Sequence, residues 1–335
     1  MEAETVEVEA CSDREHDVQA TARIFSGLVA LERRGELRLR IRPRPGGSRW
    51  LVRLRIARGE VERQVTVDLN DFASEVDQDA LRTGDAYFKR SLPEGSNPRL
   101  RPFGLAGPVA TGGTRRRLAL ARLQLGLSRR SLEELRRLAV LPRAAAFERP
   151  PGRRAEPLIL YQVRLWPPKP ARPDLDASIE QRVALVRALK KAFGRRFVGG
   201  LLPTPFARAN FPELITKLPS GMRAWPGLVR RPLVGVYSEG LHRSVGFKMS
   251  EYLAASLAVV ADRIDTMLPQ PLQEGRHYLA YDTPDDCVAA CARLLSDRDA
   301  AQEMRQRNWA YYRAGVEPAA QMRNLIETAL GEPRS

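Results

Sequence analysis

With 335 residues, 43% of them hydrophobic, the chain is too long for one ordinary core and apolar enough to fill two, which excludes global disorder and predicts two domains. No apolar run approaches the roughly 18 residues of a membrane-spanning helix, and the acidic start Met1-Glu-Ala-Glu-Thr lacks the basic opening of a signal peptide. A cytoplasmic protein is expected, at most peripheral at the inner membrane face. The net charge is +15, and residues 99–154 alone carry fourteen arginines against three glutamates. Such a block suits an anionic surface, phospholipid or nucleic acid, or else a plain solvated face.

Three cysteines cannot build a disulfide framework. Cys287 and Cys291 stand four apart in a helical pattern, without the CxxC or clustered histidines of a metal site, and read as small buried residues.

In chain order, Thr5–Ala10 alternates like a strand and Val18–Leu31 has helical periodicity ending at Arg34-Gly35. Leu37–Ile41, Trp50–Ile56 and Val61–Leu69 read as strands, the last two joined by a turn at Arg58-Gly59-Glu60, and Asp85–Ser91 reads as another. Arg115–Leu125 and Ser131–Leu141 predict a basic helical pair, and Pro150-Pro-Gly152 marks a hinge. Beyond it, strands at Leu158–Arg164, Arg196–Leu201, Leu233–Tyr237, Leu257–Ala261 and Tyr278–Tyr281 alternate with helices at Ser178–Phe193, Lys248–Ala255 and after Thr283-Pro284. That alternation predicts a doubly wound parallel sheet.

In such a sheet ligands bind beyond the C-terminal ends of the strands. The residues there are Arg164, then Gly199 and Gly200, then Ser238, Glu239 and Gly240, with Lys248 and Glu251 on the helix that follows. An arginine can fork onto a diphosphate, bare glycine backbone lets phosphate approach, and a carboxylate can accept both ribose hydroxyls. This composition suits a nucleotide-sugar site.

The stretch Ser238-Glu-Gly-Leu-His-Arg-Ser-Val-Gly-Phe-Lys-Met-Ser-Glu-Tyr-Leu-Ala-Ala-Ser-Leu-Ala-Val-Val-Ala-Asp262 resembles the signature of group 1 (family 4) glycosyltransferases, of the bacterial cell-surface or natural-product glycan type. Asp85-Ala-Tyr-Phe-Lys-Arg-Ser91, Arg101–Ala106, Tyr161-Gln-Val-Arg-Leu165 and Glu274–Asp286 are similar to further segments of that family, in the same order. The resemblance covers about residues 85–330. It implies an α/β GT-B fold, two Rossmann-like domains facing each other across a cleft. An acceptor domain is expected at 1–150, a donor domain at 155–310, and a C-terminal helix at 311–335 packing back on the first. By the same resemblance Glu251 would hold the ribose, Glu239 would contact the donor sugar and Arg164 would neutralise the diphosphate. The two glutamates stand twelve apart where the family keeps eight, so a four-residue insertion brings His242 into the loop, available to a phosphate or sugar hydroxyl.

The N-terminal half lacks the family's glycine-rich loop. His16 stands in its place, as a catalytic cleft residue or a helix-start residue, and Asp68 and Asp71 follow a strand, one of them as an acceptor base or both as turn residues. Lys89 and Arg90 end a strand and are expected to face the cleft, available to acceptor or phosphate. The expected reaction moves a sugar from a nucleotide diphosphate donor to the hydroxyl of a glycan, lipid-linked or small-molecule acceptor. No cofactor, metal or nucleic-acid partner is expected, and the basic block is available to anionic membrane. A catalytically silent scaffold of the same fold and a basic nucleic-acid-binding protein are the alternative readings.

Overall fold

The structure, a computed structural model, describes residues 4–331 except 14–15, 45–47, 111–137, 171, 173, 220, 241 and 243. The first basic helix expected from sequence, and all of the second but residues 138–141, lie outside the described residues.

The first sheet is built from β1 (Val6–Asp13), β2 (Leu37–Arg44), β3 (Leu51–Arg58), β4 (Val61–Asp68), β5 (Ala86–Lys89) and β6 (Leu100–Pro102), in the order β2-β1-β3-β4-β5-β6. Pairing is parallel except at β3, which runs against both β1 and β4. The reversal follows from the Gly59-Glu60 turn, whose glycine takes a φ of 57° open to a residue without Cβ. The second sheet holds β7 (Glu156–Val163), β8 (Phe197–Leu201), β9 (Pro232–Tyr237), β10 (Ala258–Ala261) and β11 (Tyr278–Ala280), all parallel, in the order β11-β10-β9-β7-β8. The helices are α1 (Val18–Arg33), α2 (Gln78–Thr83), α3 (Ala144–Phe147), α4 (Asp174–Phe193), α5 (Pro205–Asn210), α6 (Trp225–Val229), α7 (Phe247–Ala254), α8 (Pro284–Ser296), α9 (Arg298–Tyr311) and α10 (Pro318–Gly331).

The β9 and β10 strands are wholly buried, as strands covered on both faces must be. One face of the second sheet packs on α4 and α8, with Cys287 and Cys291 fully buried there among apolar neighbours. The other face packs on α6 and α7. The last helix, α10, leaves this domain and buries Met322, Leu325 and Ile326 with α1 against the first sheet. The two helices cross closely because Gly27 has no side chain: a Cβ there would stand 2.2 Å from the Pro318 carbonyl oxygen. The molecule is thus the two-domain α/β arrangement expected of a GT-B fold, with its chain crossing back at the end.

Arg149, just before the expected hinge, is buried and its guanidinium donates to the carbonyls of Ala255, Arg230, Arg231 and Pro232. Helix α8 starts on a capping box: Thr283 Oγ1 accepts from the Asp286 amide at 3.2 Å and the Asp286 carboxylate accepts from the Thr283 amide at 3.0 Å. Replacing Thr283 with alanine is expected to cost about 1 kcal/mol, read as a lower urea midpoint with an unchanged slope.

Candidate active site at the crevice between the sheets

The strand order of the second sheet fixes where a ligand can enter. From β7 the chain steps to β8 on one side, then crosses to β9 on the other, so connections diverge between β7 and β9. A crevice opens outside the C-terminal ends of those two strands. Arg164 follows β7 there and is exposed; Ser238, Glu239 and Gly240 follow β9 and are half-buried.

The loop after β9 is held from below. Arg182 of α4, 3% exposed, donates to the Arg164 carbonyl at 2.9 Å and the Glu239 carbonyl at 2.6 Å, and lies over the Trp166 ring. One arginine therefore ties both loops of the crevice together. Asp262, at the end of β10, accepts from the Glu239 amide at 2.6 Å and from the Gln181 side chain at 3.1 Å, and burial pushes its carboxyl pKa up. Ser238 accepts a hydrogen bond from the Tyr161 hydroxyl at 2.8 Å. Gly240 lets the loop fold on itself, since a Cβ would stand 2.6 Å from the Ser244 carbonyl oxygen. None of the anchors Arg182, Asp262 or Tyr161 was singled out by sequence; a charged residue within the apolar stripe of α4 was the available signal for Arg182.

Helix α7 then follows Gly246, its N-cap, and carries Lys248 and Glu251. The Lys248 amine donates to the Gln162 carbonyl near the end of β7 and lies over the Trp225 ring at 4.8 Å. Glu251, 8% exposed, accepts from the Trp225 indole N–H at 2.6 Å. Burial lowers the Lys248 pKa and raises that of Glu251, because each charged form loses water that its partner only partly replaces. Trp225 also escaped the sequence reading; nothing local ties it to a glutamate 26 residues on.

The first sheet supplies the opposite wall. Arg90, 7% exposed, pairs with Asp71 at 2.7 Å, donates to the Val245 carbonyl at 3.2 Å and lies over the Phe247 ring at 4.7 Å. It thereby joins the two domains. Between them is a cavity of about 750 Å³, lined in part by Phe72, Asp174, Ser178, Gln181, Glu239 and His242. Gly240 belongs to this lining as well.

Several residues picked from sequence stand elsewhere. Lys89 does not face the cleft: fully buried, it donates to Asp68 at 2.9 Å and to the Glu75 carbonyl at 2.8 Å. Consecutive strand residues point to opposite faces, so Arg90 and Lys89 could not share one wall. His16 is 7% exposed with Nε2 at 2.7 Å from the Leu51 carbonyl, which makes that nitrogen a donor. Gly199 and Gly200 lie inside β8 and not in a loop beyond it. Their φ values are 142° and 125°, and a Cβ on Gly199 would stand 1.9 Å from the Tyr161 carbonyl oxygen. Close strand packing accounts for both glycines. Asp71 is already engaged by Arg90. The cavity lining brings together Glu239, Gly240 and His242, with Lys248 and Glu251 forming a neighbouring buried cluster.

Among known proteins, residues 220–327, just under a third of the chain, match a family model described as glycosyl transferase-like. The match begins shortly before Trp225 and takes in the whole loop–helix segment around Glu239 and Glu251. No curated protein matches the chain. Distant likenesses of overall shape exist among solved structures. A putative UDP-N-acetylglucosamine 2-epimerase from Listeria monocytogenes is 10% identical, covering 97% of this chain and 96% of that one, with a TM-score of 0.45. A glycosyltransferase from Rickettsia africae is 11% identical over 92% of this chain and 80% of its own, with a TM-score of 0.43. An Anabaena protein, HepE, solved with UDP, is 11% identical over 95% and 98%, with a TM-score of 0.42. Among the described residues, no helix is long and apolar enough to cross a membrane.

Proposed function

We propose, from the match of residues 220–327 to a glycosyl transferase-like family model and from the two-domain α/β fold, that the chain transfers a sugar from a nucleoside diphosphate donor to an acceptor hydroxyl in the crevice between its sheets. The observation that carries this reading is the placement of the 238–251 segment. It leaves the end of β9 beside the divergence of β7 and β9, puts Glu239 on the cavity, and places Glu251, on helix α7, in the buried cluster.

In this reading Glu251 accepts the ribose hydroxyls, with Trp225 holding its carboxylate in place. Arg164, Lys248 and the N-terminus of α7 offset the charge on the leaving diphosphate. The sugar enters the 750 Å³ cavity against Glu239, and the acceptor approaches from the side of the first sheet. The excess of arginine over residues 99–154 suits an acceptor that carries phosphate or sits at an anionic membrane.

A thermal-shift screen against UDP, GDP, ADP and dTDP tests the donor assignment. A bound nucleotide at a hundred times its Kd adds about 2.7 kcal/mol of stability by mass action, so one of the four is expected to raise Tm by several degrees. No shift with any of them, together with no release of nucleotide from a panel of nucleotide sugars, would reject an active transferase and favour the silent scaffold.

A further inference from the structure

The four-residue insertion that separates Glu239 from Glu251 builds a contact of its own. His242 stands at a φ of 58°, the left-handed region, where its ring is turned onto Phe72 of the other domain with centroids 3.8 Å apart and planes tilted by 42°. Its Nε2 lies 3.0 Å from Nη1 of Arg172. Arg172 is itself fixed by a two-pronged pair with Asp174, at 2.8 and 2.6 Å.

That arrangement determines a tautomer. A guanidinium has only donors, so Nε2 of His242 must accept, and the ring is the neutral form with its proton on Nδ1. One ring face is covered by Phe72 and one nitrogen is taken by Arg172. The remaining polar group is the Nδ1–H, on a residue that lines the cavity. Phe72, 40% exposed, lines the same cavity from the first domain.

We propose that Phe72, His242 and Arg172 form a recognition clasp for the transferred sugar, in which Arg172 fixes the tautomer, His242 donates from Nδ1 to a sugar oxygen and Phe72 closes the cavity from the opposite domain. The clasp rests on the glycosyl transfer reading above. His242 and Phe72 are binding residues here, and Arg172 is a positioning residue.

Burial and the neighbouring Arg172 hold the His242 pKa below its ordinary value, against the opposing pull of Asp174, Asp71 and Glu75. The depressed direction means the neutral ring is the folded form above that pKa. As pH falls through it, Nε2 gains a proton, can no longer accept from Arg172, and the clasp is lost.

The test is calorimetric titration of the full chain with UDP, UDP-glucose and UDP-glucuronate, or the matching conjugates of whichever base the thermal screen selects. The quantity read is the gain in affinity that the sugar adds over the bare nucleotide. In wild type a gain is expected for at least one of the two sugars. His242→Phe, which keeps the contact with Phe72 but has no donor, is expected to lose roughly five- to tenfold of that gain, the size of one hydrogen bond. Affinity for the bare nucleotide should not change. His242→Asn restores a donor and should recover part of the gain; Phe72→Ala should lower it. In wild type, but not in His242→Phe, the gain should shrink as pH is lowered through and below the ordinary histidine range. Binding of no nucleotide at all would reject the transferase reading and the clasp with it. Nucleotide binding with a sugar gain unmoved by His242→Phe and Phe72→Ala, equal losses for nucleotide and nucleotide sugar, or an effect confined to the acceptor's KM would overturn the clasp alone.

Discussion

Replacing Asp68 with alanine is expected to destabilise the first domain by about 3–5 kcal/mol, the usual cost of stranding one member of a buried ion pair. Asp68 and Lys89 are direct partners in the parallel register of β4 and β5, with side chains 3% and 0% exposed. The Tyr87 hydroxyl donates to the same carboxylate oxygen at 2.8 Å. Removing the carboxylate therefore leaves a phenol without its acceptor and an ammonium, held only by the Glu75 carbonyl, without its counter-charge where water does not reach. Chemical denaturation followed by circular dichroism should show the urea midpoint fall without a change of slope. Lys89→Met together with Asp68→Leu should recover much of the loss, because a well-packed apolar pair removes the charge and its need for a partner. A fall under 1 kcal/mol for Asp68→Ala would mean that water reaches Lys89 in solution.

The second large effect is expected at Glu251. Glu251→Ala should weaken binding of the nucleoside diphosphate and lower glycosyl transfer on the order of 10²-fold, since hydrogen bonds to a charged group each contribute about 1.5–3 kcal/mol. Glu251→Gln separates the proposed ribose contact from the contact with Trp225. Its amide oxygen can still accept from Trp225, while the charge that favours two ribose hydroxyls is gone. If glutamine behaves as wild type, the carboxylate serves only to anchor Trp225, and the ribose assignment fails.

A pH dependence follows from the same burial. Its pKa being raised, Glu251 is protonated at a higher pH than an ordinary carboxyl. A neutral carboxyl accepts ribose hydroxyls less well, so nucleotide affinity should fall as pH drops from 8 towards 6. Glu251→Gln has no carboxyl to titrate, and its affinity profile over that range should be flatter. Titration of both proteins at the two pH values measures the difference.

How far the sequence led depends on whether each feature is local. The Glu239–Glu251 segment was legible because strand, loop and helix follow one another without interruption, and the loop after a parallel strand must open at the ligand edge. The start of α8 was legible for the same reason: Thr283, Pro284 and Asp286 are all the cap needs. Lys89 misled, because a lysine at a strand end reads as exposed until its cross-strand neighbour is known to be Asp68. Gly199 misled in another way. A glycine pair after an apolar run resembles a phosphate loop, yet the strand continues through it and the missing Cβ serves Tyr161.

From the order of its residues alone, then, the chain determined an α/β alternation, a parallel second sheet and the stretch in which a nucleotide-sugar site was to be sought, because periodicity and strand-loop-helix succession are encoded within a dozen residues or so. Tertiary structure alone decided which charges meet the cleft. Arg182 tying two loops, Trp225 holding Glu251 and Phe72 meeting His242 from the other domain are contacts between segments far apart in sequence. Such contacts depend on where two sheets and their helices come to rest, and no local pattern records that.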